Sequence, residues 1–89
     1  MFRYTTTTLK KIEQIFEECD YIIRYEKGSF QSGYCLLENK RIVVVNRFFD
    51  TEWRINTLLE ILVEIGVDES SLSVESLKFY PHIKEKSIA

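Results

Sequence analysis

The segment from Gly28 to Gly66 constrains the fold of this chain more than any other part of it. Residues 30–37 and 42–46 have the aromatic and β-branched composition of two short strands, and the polar residues 38–41 between them predict a hairpin turn. Asp50 then stands where a helix needs an N-terminal cap, and Gly66 stands where a left-handed residue ends one. The segment therefore predicts a β-hairpin followed directly by an amphipathic helix.

The strand at Ile42–Asn46 is apolar on both of its faces, which normally means that both faces are covered. In a simple three-stranded meander, however, this strand would lie at an edge of the sheet. Three arrangements resolve the conflict: the strand lies in the middle of the sheet, the helices of the chain cover it, or a second subunit does.

The flanking segments complete an α+β prediction. Apolar residues at helical spacing predict a helix from about Thr8 to Cys19, and alternating residues predict a half-buried strand at Tyr21–Glu26. After the second helix, Leu72–Tyr80 is expected to be a short turn of helix or an extended segment. Pro81 is expected to end the ordered structure, with a flexible polar tail at 82–89.

We therefore predict a single domain at residues 1–81. Its fold would be an N-terminal helix, a three-stranded antiparallel sheet, an amphipathic helix and a short C-terminal segment, in the order αβββα.

Composition narrows the classes of function. A net charge of -2, from 12 basic and 14 acidic residues, gives no electrostatic case for binding nucleic acid or an anionic membrane. No segment has the apolar run of a signal peptide or a membrane span, so a cytoplasmic location is expected. Cys19 and Cys35 match no zinc or redox spacing and are expected to be buried free thiols.

The strand pair and helix resemble the core of zincin-type metallopeptidases, in which a strand ending in Val/Ile-Asn precedes a helix carrying His-Glu-x-x-His. The resemblance covers Gly33–Asn46 and Thr57–Val63 and places the two histidine positions at Leu59 and Val63, with Glu60 matching the glutamate. Aliphatic side chains do not bind zinc, so the sequence predicts no catalytic residue, no metal and no other cofactor.

The chain also resembles small bacterial proteins that share a Gly-x-Phe-x-Gly/Ser-Gly-x-Cys strand and a Val-Val-Asn-Lys/Arg segment. Here these motifs are Gly28–Cys35 and Val44–Arg47. The resemblance implies a shared fold and no particular activity.

The leading functional hypothesis is a non-catalytic interaction or assembly module that forms a homodimer or binds another protein. Leu59 and Val63 lie on a flank of the second helix, beside its main apolar stripe, and need a cover from Leu72–Tyr80 or from a partner. Trp53 lies near Phe48 and Phe49, and exposed aromatic clusters often mark interfaces. The candidate interface residues are Val44, Trp53, Leu59 and Val63. The alternative, that all of them belong to the core of one chain, stays open.

The second hypothesis is an enzyme or an anion-binding protein with a pocket between the sheet and the helices. Asn46, Arg47 and Arg54 lie close to the N-terminus of the second helix, where an anion is favoured. Arg54 is also placed to pair with Asp50 or another nearby acid.

Overall fold

The computed structural model describes residues 3–27, 34–37 and 41–88, with the strand at 34–37 and the last helical turn at 85–88 described by backbone alone. The predicted turn at 38–40 and the glycine-containing stretch 28–33 lie outside these residues. Seven elements follow in order: α1 (Thr6–Glu18), β1 (Ile22–Glu26), β2 (Tyr34–Leu37), β3 (Ile42–Asn46), α2 (Thr51–Ile65), a 3-10 turn (Glu69–Ser71) and α3 (Val74–Ile88). The described residues form an α+β fold with three α-helices.

The sheet has the strand order β1-β3-β2, so the prediction of an all-antiparallel sheet is wrong. β1 runs parallel to β3, with Ile22 opposite Ile42, whereas β2 runs antiparallel to β3, with Leu37 opposite Ile42. The prediction assumed that strands adjacent in sequence pair with each other, which is the usual arrangement. Here the chain passes from β1 to the far side of β3, because the most apolar strand needs a neighbour on each side.

The central strand β3 supplies the floor of the core. Val43 and Val45 are fully buried and belong to the same cluster of apolar side chains as the three helices. Val44 lies outside that cluster and is 7% exposed. Because successive side chains of a strand point to opposite faces, Val44 belongs to the face turned away from the helices. The chain's own helices therefore cover the face of β3 that carries Val43 and Val45, and the strand lies in the middle of the sheet.

Both predicted helices form, and the second has the caps that the sequence indicates. Asp50 Oδ1 accepts a hydrogen bond of 2.9 Å from the Trp53 N–H, and Gly66 ends α2 with a φ of 75°. These bounds confirm the prediction for the second helix. At α1 the side chain of Thr5 accepts from the Thr8 N–H at 3.2 Å, so that helix begins two residues earlier than the sequence indicates.

The C-terminal region differs most from expectation, because the predicted short segment is a helix of 15 residues that continues through Pro81. The proline removes one N–H from the helical ladder, which is why the sequence suggests an end to the helix there. Ile83, in the segment expected to be a tail, is 2% exposed and joins the core together with Leu72. Lys84 adds an exposed ion pair of 3.6 Å with Glu69. The burial of Ile83 explains why the helix extends beyond the proline.

Candidate functional site

The four candidate interface residues do not form one surface. Val44 and Leu59 are buried within the chain, whereas Trp53 and Val63 are 61% and 66% exposed. Trp53 and Val63 stand near opposite ends of α2, about 15 Å apart along its axis at the usual rise per residue. Trp53 is the exposed one of the four whose ring contacts another aromatic ring, that of Phe49.

The flank of α2 that resembles a zincin metal site is half covered by the chain itself. Leu59 packs in the core cluster that includes Leu72 and Ile83, while Glu60 and Val63 face solvent. Among the residues that the structure describes, no group of three or more His, Cys, Asp or Glu side chains is placed to hold a metal ion.

The structure instead brings together a surface that we call the aromatic–arginine patch, formed by Arg47, Phe48, Phe49, Trp53 and Arg54. Phe48 is 65% exposed, and the Arg47 guanidinium lies 5.1 Å from the centre of its ring. The rings of Phe49 and Trp53 are 5.6 Å apart and inclined by 34°. The turn between β3 and α2 and the first turn of α2 thus each present one large aromatic side chain to solvent.

Arg54 holds this turn in place. Its Nε donates to the Phe49 carbonyl at 2.9 Å, and its Nη2 donates to the Arg47 carbonyl at 2.8 Å. The guanidinium also stacks over the Tyr25 ring at 4.4 Å, which links the turn to β1. The sequence suggests an acidic partner for Arg54, but its acceptors in the structure are backbone carbonyls.

These contacts engage the groups that were candidates for binding an anion. The Asp50 carboxylate already occupies the N-terminal amide of α2 that a bound anion would use. The side-chain oxygen of Asn46 accepts from the Phe48 N–H at 2.9 Å, and Arg47 lies against the Phe48 ring. Asn46, Arg47 and Arg54 therefore shape the turn and do not converge on an open pocket.

Tyr25 is a half-buried residue that links α1 to the sheet, and the sequence did not single it out. Its hydroxyl donates a hydrogen bond to the Glu13 carboxylate on α1. Burial raises the pKa of the Tyr25 hydroxyl, and the hydrogen bond and charge of Glu13 raise it further, while Arg54 opposes the change. Tyr25 therefore stays neutral and ties α1 and the aromatic–arginine patch to the same strand.

Cys19, the cysteine whose side chain the structure describes, is a structural residue. Cys19 is 8% exposed, as predicted for a buried free thiol, and burial raises its pKa. A thiol with a raised pKa is a poor nucleophile, because the thiolate is the reactive form. Cys19 therefore gives no support to an enzymatic function.

A groove of about 330 Å³ lies between α1 and α3, with Lys11, Gln14, Ser76, Phe79 and His82 among its lining residues. Lys11 lies 5.3 Å from the centre of the Phe79 ring, and Lys78 and Glu75 bring charges of both signs to the rim. The groove has no set of buried polar groups that would orient one ligand, which is what small-molecule sites usually provide.

No protein-family model matches the chain, and no curated protein or solved structure matches it significantly. The resemblances to the zincin core and to the small bacterial proteins therefore stay predictions. No helix in the described part of the chain is both long and apolar enough to cross a membrane.

Proposed function

We propose that this protein is a non-catalytic cytosolic interaction module that assembles with protein partners, in the first place with a second copy of itself. The observation that carries this proposal is the aromatic–arginine patch. Phe48 and Trp53 expose 65% and 61% of their surface, although burying them would be favourable. Trp, Phe and Arg are enriched in protein–protein interfaces, and Trp and Arg are prominent among the residues that contribute most to binding.

The rigidity of the patch supports the same conclusion. Arg54 fixes the turn through two carbonyls, and the Phe49 ring packs against Trp53. A surface that is already ordered loses less conformational entropy when a partner binds. The patch therefore has both the composition and the order of a preformed contact surface.

Sedimentation velocity of the purified protein over a wide concentration range tests the proposal. The average mass is expected to rise above the 10.6 kDa of one chain as concentration increases. Trp53→Glu places a charge at the centre of the patch and is expected to weaken association by about tenfold or more, the usual effect of removing a central aromatic residue.

Val74→Glu is the matched control, because Val74 is 69% exposed on a different helix. This variant is expected to associate like the parent protein. If Trp53→Glu and Val74→Glu behave alike, the patch is not the contact surface. If the parent stays at 10.6 kDa at every concentration, self-association is wrong.

A further inference from the structure

The free edge of β1 carries an inference about how two copies assemble. β1 is the last strand of the sheet, and no strand among the described residues lies on its other side. Its pairing with β3 begins with the Ile22 N–H, which donates to the Arg41 carbonyl at 2.9 Å. Alternate residues of a parallel strand bond to the same neighbour, so the backbone groups of Ile23 and Tyr25 point away from β3. These groups form an edge that a further strand could pair with.

We propose that this edge pairs antiparallel with β1 of a second copy, about a two-fold axis at Tyr25; the inference rests on the proposed self-association. The outward-facing residues of the two copies lie opposite each other only in registers whose two-fold axis passes through a residue. With the axis at Tyr25, Arg24 of each copy lies opposite Glu26 of the other. With the axis at Arg24, two arginines face each other, and with the axis at Ile23, Glu26 faces Asp20. Opposite charges across a strand pair stabilise it and like charges destabilise it, so the sequence favours the first register.

The geometry strengthens the ion pairs in this register. Arg24 and Glu26 bond to β3 through their backbone groups, so between the two copies they would occupy non-hydrogen-bonded positions. Side chains are closest at such positions. Both residues are exposed in the single chain, so their charges are available to a partner.

A groove of about 350 Å³ beside β1 supplies a second complementary contact. It is lined by Glu13, Glu17, Tyr21, Ile22, Ile23 and Tyr25. In the proposed register Lys27 of the second copy lies opposite Ile23. Its side chain is on the helix-facing side of the sheet, where the Tyr25 hydroxyl bonds to Glu13. The lysine would therefore enter a groove that carries two carboxylates. A closed two-fold arrangement of this kind repeats each contact twice and leaves neither β1 edge open.

Charge reversal tests the register directly in sedimentation experiments on the full chain. Arg24→Glu and Glu26→Arg each create two like-charge pairs in the dimer, and each is expected to raise the dissociation constant by at least about tenfold. The double variant restores opposite charges at both pairs. Its dissociation constant is therefore expected to return to within about threefold of the parent's. Lys78→Glu and Glu75→Arg make the same changes in charge on α3 and are the controls.

Hydrogen exchange gives an independent readout. The Ile23 and Tyr25 amides are expected to exchange more slowly as protein concentration rises, whereas the Arg24 amide, already bonded to β3, is expected to change little. If the parent associates but neither charge reversal nor concentration has these effects, the edge pairing is wrong and the interaction module stands. If the parent does not associate, both the edge pairing and the proposed self-association fail.

Discussion

Replacing Arg54 with lysine is expected to weaken the aromatic–arginine patch while keeping the positive charge. The guanidinium of Arg54 donates to two carbonyls and stacks on Tyr25, and a lysine ammonium has no planar fork with which to do all three. One lost hydrogen bond costs about 1 kcal/mol and the lost stacking about 0.5–1 kcal/mol. We therefore expect Arg54→Lys to lower the free energy of unfolding by about 1.5–2 kcal/mol.

Urea titrations followed by circular dichroism measure this loss, and fluorescence locates it. Trp53 is the one tryptophan of the chain, and its ring lies 5.6 Å from that of Phe49, whose carbonyl Arg54 holds. Loosening the turn is expected to lower the fluorescence anisotropy of Trp53 in the folded protein.

Arg3→Lys is the control for Arg54→Lys, because Arg3 is an exposed arginine outside both the patch and the β1 edge, and its replacement is expected to change stability by less than about 0.5 kcal/mol. The reasoning would be refuted if Arg54→Lys matched Arg3→Lys in stability and left the anisotropy unchanged.

Two further predictions concern the packing of the helices. Ile83→Ala is expected to lower the free energy of unfolding by about 2–5 kcal/mol in urea titrations, because Ile83 is 2% exposed. Lys84→Ala breaks only an exposed ion pair and should lower it by less than about 1 kcal/mol. Equal effects would show that residues 82–84 do not pack on the core. Burial acts to raise the pKa of Glu18, but hydrogen bonds from the Ser73 N–H and the Gln14 side chain lower it below its ordinary value of 4.5. The folded pKa is therefore below the unfolded one, so the charged carboxylate stabilises the fold above pH 4.5, and this contribution disappears as the pH falls through the lowered value. The difference in unfolding free energy between the parent and Glu18→Gln should shrink between about pH 6 and about pH 3, and a difference independent of pH would contradict the assignment.

The helices show how well local residues in the sequence predict where a helix begins and ends. Asp50 and Gly66 bracket α2 in the structure as predicted, because a cap acts on amides or carbonyls within one turn of its own position. The prediction that order ends at Pro81 was wrong for a related reason. A proline favours the end of a helix locally, but the packing of Ile83 in the core, which is distant in sequence, outweighs that effect. Local signals were therefore reliable wherever packing did not oppose them.

The sheet and the patch show where sequence reasoning ends. Parallel pairing of β1 with β3 joins segments about 20 residues apart, and no turn residue in the sequence indicates this pairing. The acceptors of Arg54 are backbone carbonyls, which every residue has, so its role in the turn leaves no mark in the sequence. Neighbouring residues suggested an anion site at Asn46, Arg47 and Arg54 and an aromatic interface around Trp53. The contacts of Arg54 and Asp50 engage groups that the anion site would need, and the sequence gives no sign of these contacts.

The order of the strands connects the fold with the proposed assembly. In the meander considered from the sequence, β3 lies at an edge that a second subunit could cover, but in the structure β3 is paired on both sides and Val44 is 7% exposed. Moving the most apolar strand to the centre moves β1, with its alternating Arg24 and Glu26, to the edge. A strand carrying opposite charges two positions apart is complementary to itself when it runs antiparallel, whereas a strand carrying only lysines would repel a second copy. Tyr25 lies between these charges and contacts Arg54 of the aromatic–arginine patch, so a partner strand at this edge would lie next to the residues that order the patch.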